Sequence, residues 1–225
     1  MIRLAVFDLD GTLVDSPRAI VATFGAAFDA LGVTRPADLA VRATIGLPLE
    51  RAFALLLEAQ QGRGADEILV AEAVRLYRRF FDTIVLPQAP DLVFPGVAEG
   101  LARLREDGVA LAVATSKYHR PADALLTAAG LREYFAEVIG ADEVSRPKPD
   151  PESGQVILDR LGIVAEHAVM VGDTTHDLLM AKAAGMRSVA VTYGVHSPAE
   201  LAVAGPTWVA DTFLDVVAHL APVPA

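Results

Sequence analysis

Residues 7–16 have the sequence FDLDGTLVDS, in which two carboxylates, Asp8 and Asp10, end an apolar run. The run over residues 3–9 predicts a buried parallel strand, because it is continuously apolar and is followed by Gly11. Side chains two positions apart on a strand share one face, so these carboxylates would repel each other. A divalent cation with oxygen ligands would remove that repulsion. The alternative is a strand end followed by an ordinary Asp-Gly turn.

Further apolar runs predict more strands, and helical patterns separate them. The strands are predicted at residues 109–114, 138–139, 168–171 and 188–192. The helices are predicted at residues 97–106, 121–129, 152–161 and 175–184. Strands that alternate with helices predict an α/β fold with a doubly wound, Rossmann-like parallel sheet. In such sheets ligands bind at the carboxyl ends of the strands.

The segment from residue 15 to residue 88 interrupts this alternation. It has no convincing strand pattern, and its apolar residues have helical spacing over 19–31, 49–59 and 68–81. Ser16 and Pro17 predict an N-cap and a first-turn proline for the first of these helices. The sequence therefore predicts a helical cap over residues 15–88, inserted into an α/β core of residues 1–14 and 89–225.

The composition restricts the classes of function. The formal net charge of −10 at pH 7 argues against nonspecific nucleic-acid binding. The chain has no cysteine, which excludes thiol chemistry and fits a reducing compartment. No apolar stretch is long enough to span a membrane, and Asp8 and Asp10 interrupt the first apolar run too early for a signal peptide. We expect a cytoplasmic monomer or homodimer that binds neither nucleic acid nor membrane.

A second acidic pair, Asp173 and Asp177, lies in the sequence GDTTHD at residues 172–177, after the apolar run 168–171. Residues four apart share one face of a helix, so both carboxylates can lie together near a helix start. Helix capping is the alternative and suits Asp177 well. It explains less well why a second acidic cluster follows a second buried strand. We expect His176 to be exposed or locally hydrogen-bonded rather than catalytic.

Two further polar segments are candidates for phosphate chemistry. Thr115 and Ser116 follow the predicted strand 109–114, where hydroxyl and backbone N–H groups can hold a phosphate. A helix cap is an equally good local explanation. Lys148 lies in RPKPDP at residues 146–151 and is one of only three lysines, with Lys117 and Lys182. The flanking prolines stiffen its backbone, which predicts a positioned charge; a surface loop is the alternative.

Taken together, these segments resemble the haloacid dehalogenase-like superfamily of phosphatases. FDLDGTLVDS matches the first family motif, Thr115 the second, Lys148 the third and GDTTHD the fourth, in the same order over nearly the whole chain. The chain is most similar to phosphoglycolate phosphatase-like members, which carry a helical cap after the first strand. The sequence TIGLPLERA, which begins at Thr44, is similar to their cap loop and the helix that follows.

The resemblance implies a Mg²⁺-dependent phosphatase. Asp8 would be the nucleophile that forms an aspartyl-phosphate, and Asp10 would be the acid and base. Thr115 would orient the phosphoryl group, and Lys148 would offset negative charge. The implied metal site consists of the Asp8 carboxylate, the Asp10 backbone carbonyl, Asp173 and Asp177, the last acting directly or through water.

The resemblance also implies a small phosphorylated metabolite as substrate, with 2-phosphoglycolate as the first candidate. The predicted substrate-binding residues are Thr12, Ser116, Arg42, Thr44 and Gly46. Thr12 is also expected to support Asp10, and a solvated helix face is the slightly preferred alternative for Arg42. Pyrophosphatase and phosphosugar mutase activities remain alternatives within the superfamily. Dehalogenase activity is disfavoured because Asp10 supplies an acid and base. A non-catalytic receiver-like domain is disfavoured by the two acidic clusters and Lys148.

Overall fold

Six parallel strands form a single sheet in the computed structural model, which describes residues 1–61 and 64–221. The strand order across the sheet is β3-β2-β1-β4-β5-β6. The strands are β1 Leu4–Phe7, β2 Ala110–Ala114, β3 Glu137–Ile139, β4 Ala168–Gly172, β5 Arg187–Val191 and β6 Trp208–Ala210. The predicted parallel α/β fold is therefore confirmed. Strand β6 was not predicted, because a strand of three residues, of which only Ala210 is buried, is too short to show a pattern.

Four α-helices follow β1 within residues 17–84. They are α1 Pro17–Ala30, α2 Asp38–Arg42, α3 Leu49–Gln61 and α4 Glu67–Ile84. Their shared interior is aromatic: the Phe24 ring centroid lies 4.5 Å from that of Phe53 and 4.9 Å from that of Tyr77. We call these helices and the loops between them the cap. The predicted boundaries at 14/15 and 88/89 stay predictions, and residues 62–63 and 222–225 of the predicted domains lie outside the described residues.

The two connections between cap and core lie side by side. The backbone N–H of Asp15 donates to the carbonyl of Leu92 at 2.7 Å, and that of Phe94 donates to the carbonyl of Leu13 at 3.1 Å. Val14 also forms a parallel bridge with Asp10. The cap is therefore attached next to the first acidic motif, so that its position bears directly on the carboxyl ends of the central strands.

The remaining helices cover the sheet: α5 Val97–Glu106, α6 His119–Ala128, α7 Glu152–Leu161, α8 Thr175–Ala183, α9 Pro198–Val203 and α10 Phe213–Leu220. All four residues of β1 are buried, as expected for a central strand with helices on both faces. Phe7 of β1 is in register with Val171 of β4, so Asp8 and Asp173 follow neighbouring strand ends. Within the described ranges, no helix is both long and apolar enough to cross a membrane.

Candidate active site

Three buried carboxylates meet at the carboxyl ends of β1 and β4. Asp8, Asp173 and Asp177 each place one carboxylate oxygen within 4.8 Å of the others. The backbone leaves space for them only because small residues line the cluster. Gly11 has a φ of +88°, and a Cβ there would collide with the carboxylate of Asp173, as would a Cβ at Gly194. The structure thus brings together the three carboxylates that the resemblance implies for a metal site.

Lys148 is buried in contact with this cluster. Its ammonium nitrogen donates to Oδ1 of Asp8 at 2.8 Å, to Oδ1 of Asp177 at 2.6 Å and to the carbonyl of Ala114 at 2.9 Å. The residue is only 6% exposed. The alternative of a surface loop is therefore wrong for this side chain, because the proline-flanked segment turns it inward between β1, β2 and α8.

The electrostatics of the cluster are unbalanced without a further cation. Burial raises the pKa of Asp8 to about 7; Lys148 opposes the shift, and Asp177 adds to it. Burial, with the charges of Asp8 and Asp177, also raises the pKa of Asp173 well above its usual value. Burial opposes the charge on Lys148, but Asp177 and Asp8 nevertheless raise its pKa. When all three carboxylates are ionised, the one ammonium that contacts them leaves an excess of two negative charges among the described residues.

The side chain of Asp10 lies outside this cluster and has its own partners. One carboxylate oxygen accepts a 2.5 Å hydrogen bond from the Ser16 hydroxyl, and the other lies 3.0 Å from the ammonium of Lys117. The prediction that Ser16 caps α1 through its side chain is wrong: its φ and ψ are −88° and −11°, and it makes no capping hydrogen bond. The Ser16 hydroxyl instead donates its hydrogen bond to Asp10. Sequence reasoning missed both partners of this carboxylate.

Thr12 supports a different carboxylate from the one expected. Its hydroxyl donates to Oδ1 of Asp173 at 3.0 Å, and the residue is fully buried. The structure therefore places the Thr12 hydroxyl on Asp173 rather than on Asp10, and the side chain lies in the core. Asp173 also accepts from the backbone N–H of Val195 at 2.8 Å, and Tyr193 donates to the Thr12 carbonyl at 3.0 Å. Tyr193 and Val195 lie in the loop that follows β5. Because β5 ends at the same edge of the sheet as β1 and β4, its position in the sequence could have indicated that this loop reaches the site.

Asp177 caps a helix, whereas Thr115 does not. Asp177 does cap α8, because it accepts from the N–H and the hydroxyl of Thr174 at 3.0 and 2.7 Å. It contacts Lys148 at the same time, so its role as a helix cap is compatible with its place in the acidic cluster. Helix α6, in contrast, has Tyr118 as its N-cap residue and no side-chain cap bond. Thr115 is therefore not a helix cap, and it lines the cavity above Asp8.

A cavity of about 510 Å³ lies between the cap and the core. Its lining includes the predicted residues Asp8, Asp10, Thr44, Gly46, Thr115 and Ser116. Ser116 is tied to the cap loop, since its hydroxyl donates to the Gly46 carbonyl at 2.7 Å. Arg42 is exposed and is not part of the lining, so the structure does not bring it to this cavity. Four other cationic side chains belong to the lining: Arg78, Arg79, Lys117 and Arg120.

The family follows from a match over most of the chain. Residues 5–191 match the model of a family described as haloacid dehalogenase-like hydrolase. The chain belongs to this family. A probable phosphatase of Dickeya dadantii, IndB, is 53% identical to this hydrolase over 95% of its chain and 91% of the relative. The phosphoglycolate phosphatase of Salmonella typhimurium is 35% identical over 97% and 92% of the two chains.

Solved structures agree with this membership. The crystal structure of a predicted phosphoglycolate phosphatase from Haemophilus somnus superposes with a TM-score of 0.86 at 26% identity, and the match covers 97% of each chain. The crystal structure of CbbY from Rhodobacter sphaeroides in complex with phosphate has a TM-score of 0.79 at 26% identity, over 96% of each chain. The predicted family, its fold and the prediction of a hydrolytic enzyme are thus confirmed.

Proposed function

We propose that this hydrolase is a Mg²⁺-dependent phosphatase that cleaves a small phosphomonoester through an aspartyl-phosphate on Asp8. The observation that carries the proposal is the buried contact of 2.8 Å between Asp8 and Lys148, beside the carboxylates of Asp173 and Asp177. A carboxylate held by an ammonium in a cavity is suited to attack an anionic phosphoryl group. The relatives named phosphatases along nearly the whole chain support this activity.

The acidic cluster fits a magnesium ion. Its donors are hard carboxylate oxygens, and a divalent cation would balance the excess of two negative charges that the cluster has when all three are ionised. The groups that would hold the ion are the carboxylates of Asp8 and Asp173 and the backbone carbonyl of Asp10. Both oxygens of Asp177 already accept hydrogen bonds, which favours a role through water. A bound Mg²⁺ would offset the charge of the nucleophile and the phosphoryl oxygens.

The side chains of this hydrolase divide the reaction between them. An oxygen of Asp8 bonds to phosphorus as the ester P–O bond breaks, and Asp10 gives a proton to the leaving oxygen. Asp10 then takes a proton from the water that attacks phosphorus and releases phosphate. Lys148 holds the Asp8 carboxylate and offsets its charge. Thr115, at the cavity wall, is placed to orient the phosphoryl group.

The preferred substrate in this proposal is 2-phosphoglycolate. The similarity of the cap loop from Thr44 to phosphoglycolate phosphatases and the relative from Salmonella typhimurium support it. Arg79 and Arg120, which line the cavity, replace Arg42 as candidates to bind the glycolate carboxylate. The cavity volume of about 510 Å³ corresponds to roughly seventeen water molecules, so sugar phosphates also fit by size.

A substrate panel tests the proposal. We expect Mg²⁺-dependent release of phosphate from phosphoglycolate with a higher kcat/KM than from pyrophosphate or hexose phosphates, and none from a matched Asp8→Asn protein. A clear preference for pyrophosphate would make the enzyme a pyrophosphatase. Conversion of a sugar phosphate to its isomer without release of phosphate would make it a mutase. Either result would overturn the proposal that phosphoglycolate is the preferred substrate. Turnover by Asp8→Asn would overturn the proposed mechanism.

A further inference from the structure

Lys117 connects the carboxylate of Asp10 with the cap. Its ammonium nitrogen lies 3.0 Å from Oδ2 of Asp10 and 4.8 Å from the centre of the Phe81 ring on α4. Only 10% of the Lys117 side chain and 13% of the Asp10 side chain is exposed. An ammonium over an aromatic face is attracted by the ring, and the attraction grows as water is excluded. One core side chain therefore contacts both a predicted catalytic group and a cap helix.

The neighbours of Lys117 also contact the cap. The hydroxyl of Ser116 donates to the Gly46 carbonyl in the cap loop at 2.7 Å. The hydroxyl of Tyr118 donates to Glu50 of α3 at 2.9 Å. We call residues 116–118 the docking strip, because three consecutive side chains meet three different parts of the cap. The strip begins directly after Thr115, so cap contacts fix the backbone that carries Lys117 above the site.

We propose that Lys117 is a positioning residue for Asp10 and that Phe81 holds it in place when the cap lies on the core. The inference rests on the proposed function, in which Asp10 is the acid. When the ester P–O bond breaks, the Asp10 proton passes to the leaving oxygen and Asp10 becomes a carboxylate. The ammonium at 3.0 Å stabilises the charge that forms there, while Ser16 holds the other oxygen.

The dependence of the rate on the leaving group distinguishes this role from others. An alkyl phosphate needs a proton on its leaving oxygen, whereas p-nitrophenolate leaves readily as an anion. We therefore expect Lys117→Met to lower kcat/KM for an alkyl phosphate about tenfold more than for p-nitrophenyl phosphate. Lys117→Arg, which keeps the charge, should restore most of the loss. Lys117→Gln provides a second neutral variant should the methionine protein fold poorly.

Three matched variants complete the test. Lys182→Met changes an exposed lysine of α8 and should leave the ratio of the two kcat/KM values unchanged. Phe81→Leu should shift the ratio in the same direction as Lys117→Met by a smaller factor, and should add nothing in the Lys117→Met background. Equal losses for both substrates in Lys117→Met, or fully additive effects of the pair, would overturn the inference. Turnover by Asp8→Asn would instead overturn the proposed function, so the two failures are distinguishable.

Discussion

The ammonium nitrogen of Lys148 lies 2.8 Å from Oδ1 of Asp8, although 140 positions separate the two residues in the sequence. The contact joins the proline-flanked loop that follows β3 to the end of the central strand β1. Both side chains are buried, so neither charge can be solvated by water if the other is removed. In the proposed function, the pair therefore both stabilises the site and holds the nucleophile.

Replacement of Lys148 tests this double role. Lys148→Ala leaves three buried carboxylates without a contacting ammonium, so we expect the metal-free protein to lose about 3 kcal/mol of unfolding free energy. We also expect kcat/KM to fall at least about a hundredfold, because the charge on Asp8 and the phosphoryl oxygens is no longer offset. Thermal unfolding and steady-state kinetics measure the two effects. Lys182→Ala, an exposed control on α8, should change neither, and equally small effects from both variants would contradict the assignment.

Metal removal tests the proposed cofactor. After treatment with a chelator we expect activity to be lost and to return on addition of Mg²⁺, because the cluster of Asp8, Asp173 and Asp177 then regains its missing positive charge. Ca²⁺ should bind but inhibit, since its larger and looser coordination sphere disturbs the in-line geometry. Phosphate release from an aryl phosphate gives the readout. Full activity after exhaustive metal removal would exclude the metal site.

The raised pKa of Asp8 predicts how stability depends on pH. Its pKa rises from 3.8 to about 7 on folding, so between these values the folded protein binds more protons than the unfolded chain. The stability that Asp8 gains from binding this proton is fully present below the pKa of the unfolded chain. It is lost as pH rises through the pKa of the folded protein. The Tm of the metal-free protein should therefore fall between roughly pH 5 and roughly pH 7, and Mg²⁺ should reverse most of the loss.

The control for this pH effect is Asp8→Asn. Burial also raises the pKa of Asp173, which acts in the same sense as Asp8. Burial lowers the pKa of His176, which acts in the opposite sense in part of the same range. Comparison with Asp8→Asn separates Asp8 from both groups: the variant should show a flatter fall of Tm with pH than the original protein. An identical pH dependence in both proteins would show that Asp8 does not titrate in this range.

Recognition of the substrate carboxylate is tested by arginine variants. Arg79→Ala and Arg120→Ala remove cations from the cavity lining, so we expect each to raise KM for phosphoglycolate about tenfold more than KM for an aryl phosphate. Arg42→Ala is the matched control, because Arg42 is exposed and outside the lining. A KM effect confined to Arg42→Ala would contradict the placement of the glycolate group in this cavity.

The sequence predicted the parts of the site that follow directly from strand ends. Asp8 and Asp173 could be placed together because each follows an apolar run, and parallel strands end at the same edge. The partner of Ser16 could not be predicted: the Ser-Pro pair satisfies the local rule for a helix cap, but a tertiary contact with Asp10 uses the hydroxyl. The position of Arg42 outside the cavity could not be predicted, because its five-residue helix carries too little pattern to show which face meets the cavity.

The contacts of Lys117 also could not be predicted from the sequence. Lys117 follows the predicted strand 109–114 by three residues, but nothing near it in the sequence shows that its side chain reaches Asp10. Its proximity to Asp10 depends on the pairing of β1 with β2, and its proximity to Phe81 depends on how the cap packs on the core. Contacts of this kind arise from the fold as a whole, which local patterns do not encode.

The central claim, that Asp8 carries the phosphoryl group, is tested most directly by trapping the covalent enzyme. The protein is mixed with a phosphomonoester labelled at phosphorus, quenched in acid within one turnover and digested, and the labelled peptide is sequenced. We expect label on the peptide that contains Asp8, released by hydroxylamine as an acyl phosphate should be, and no label in Asp8→Asn. Rapid turnover without bound label, or label at another residue, would contradict the account.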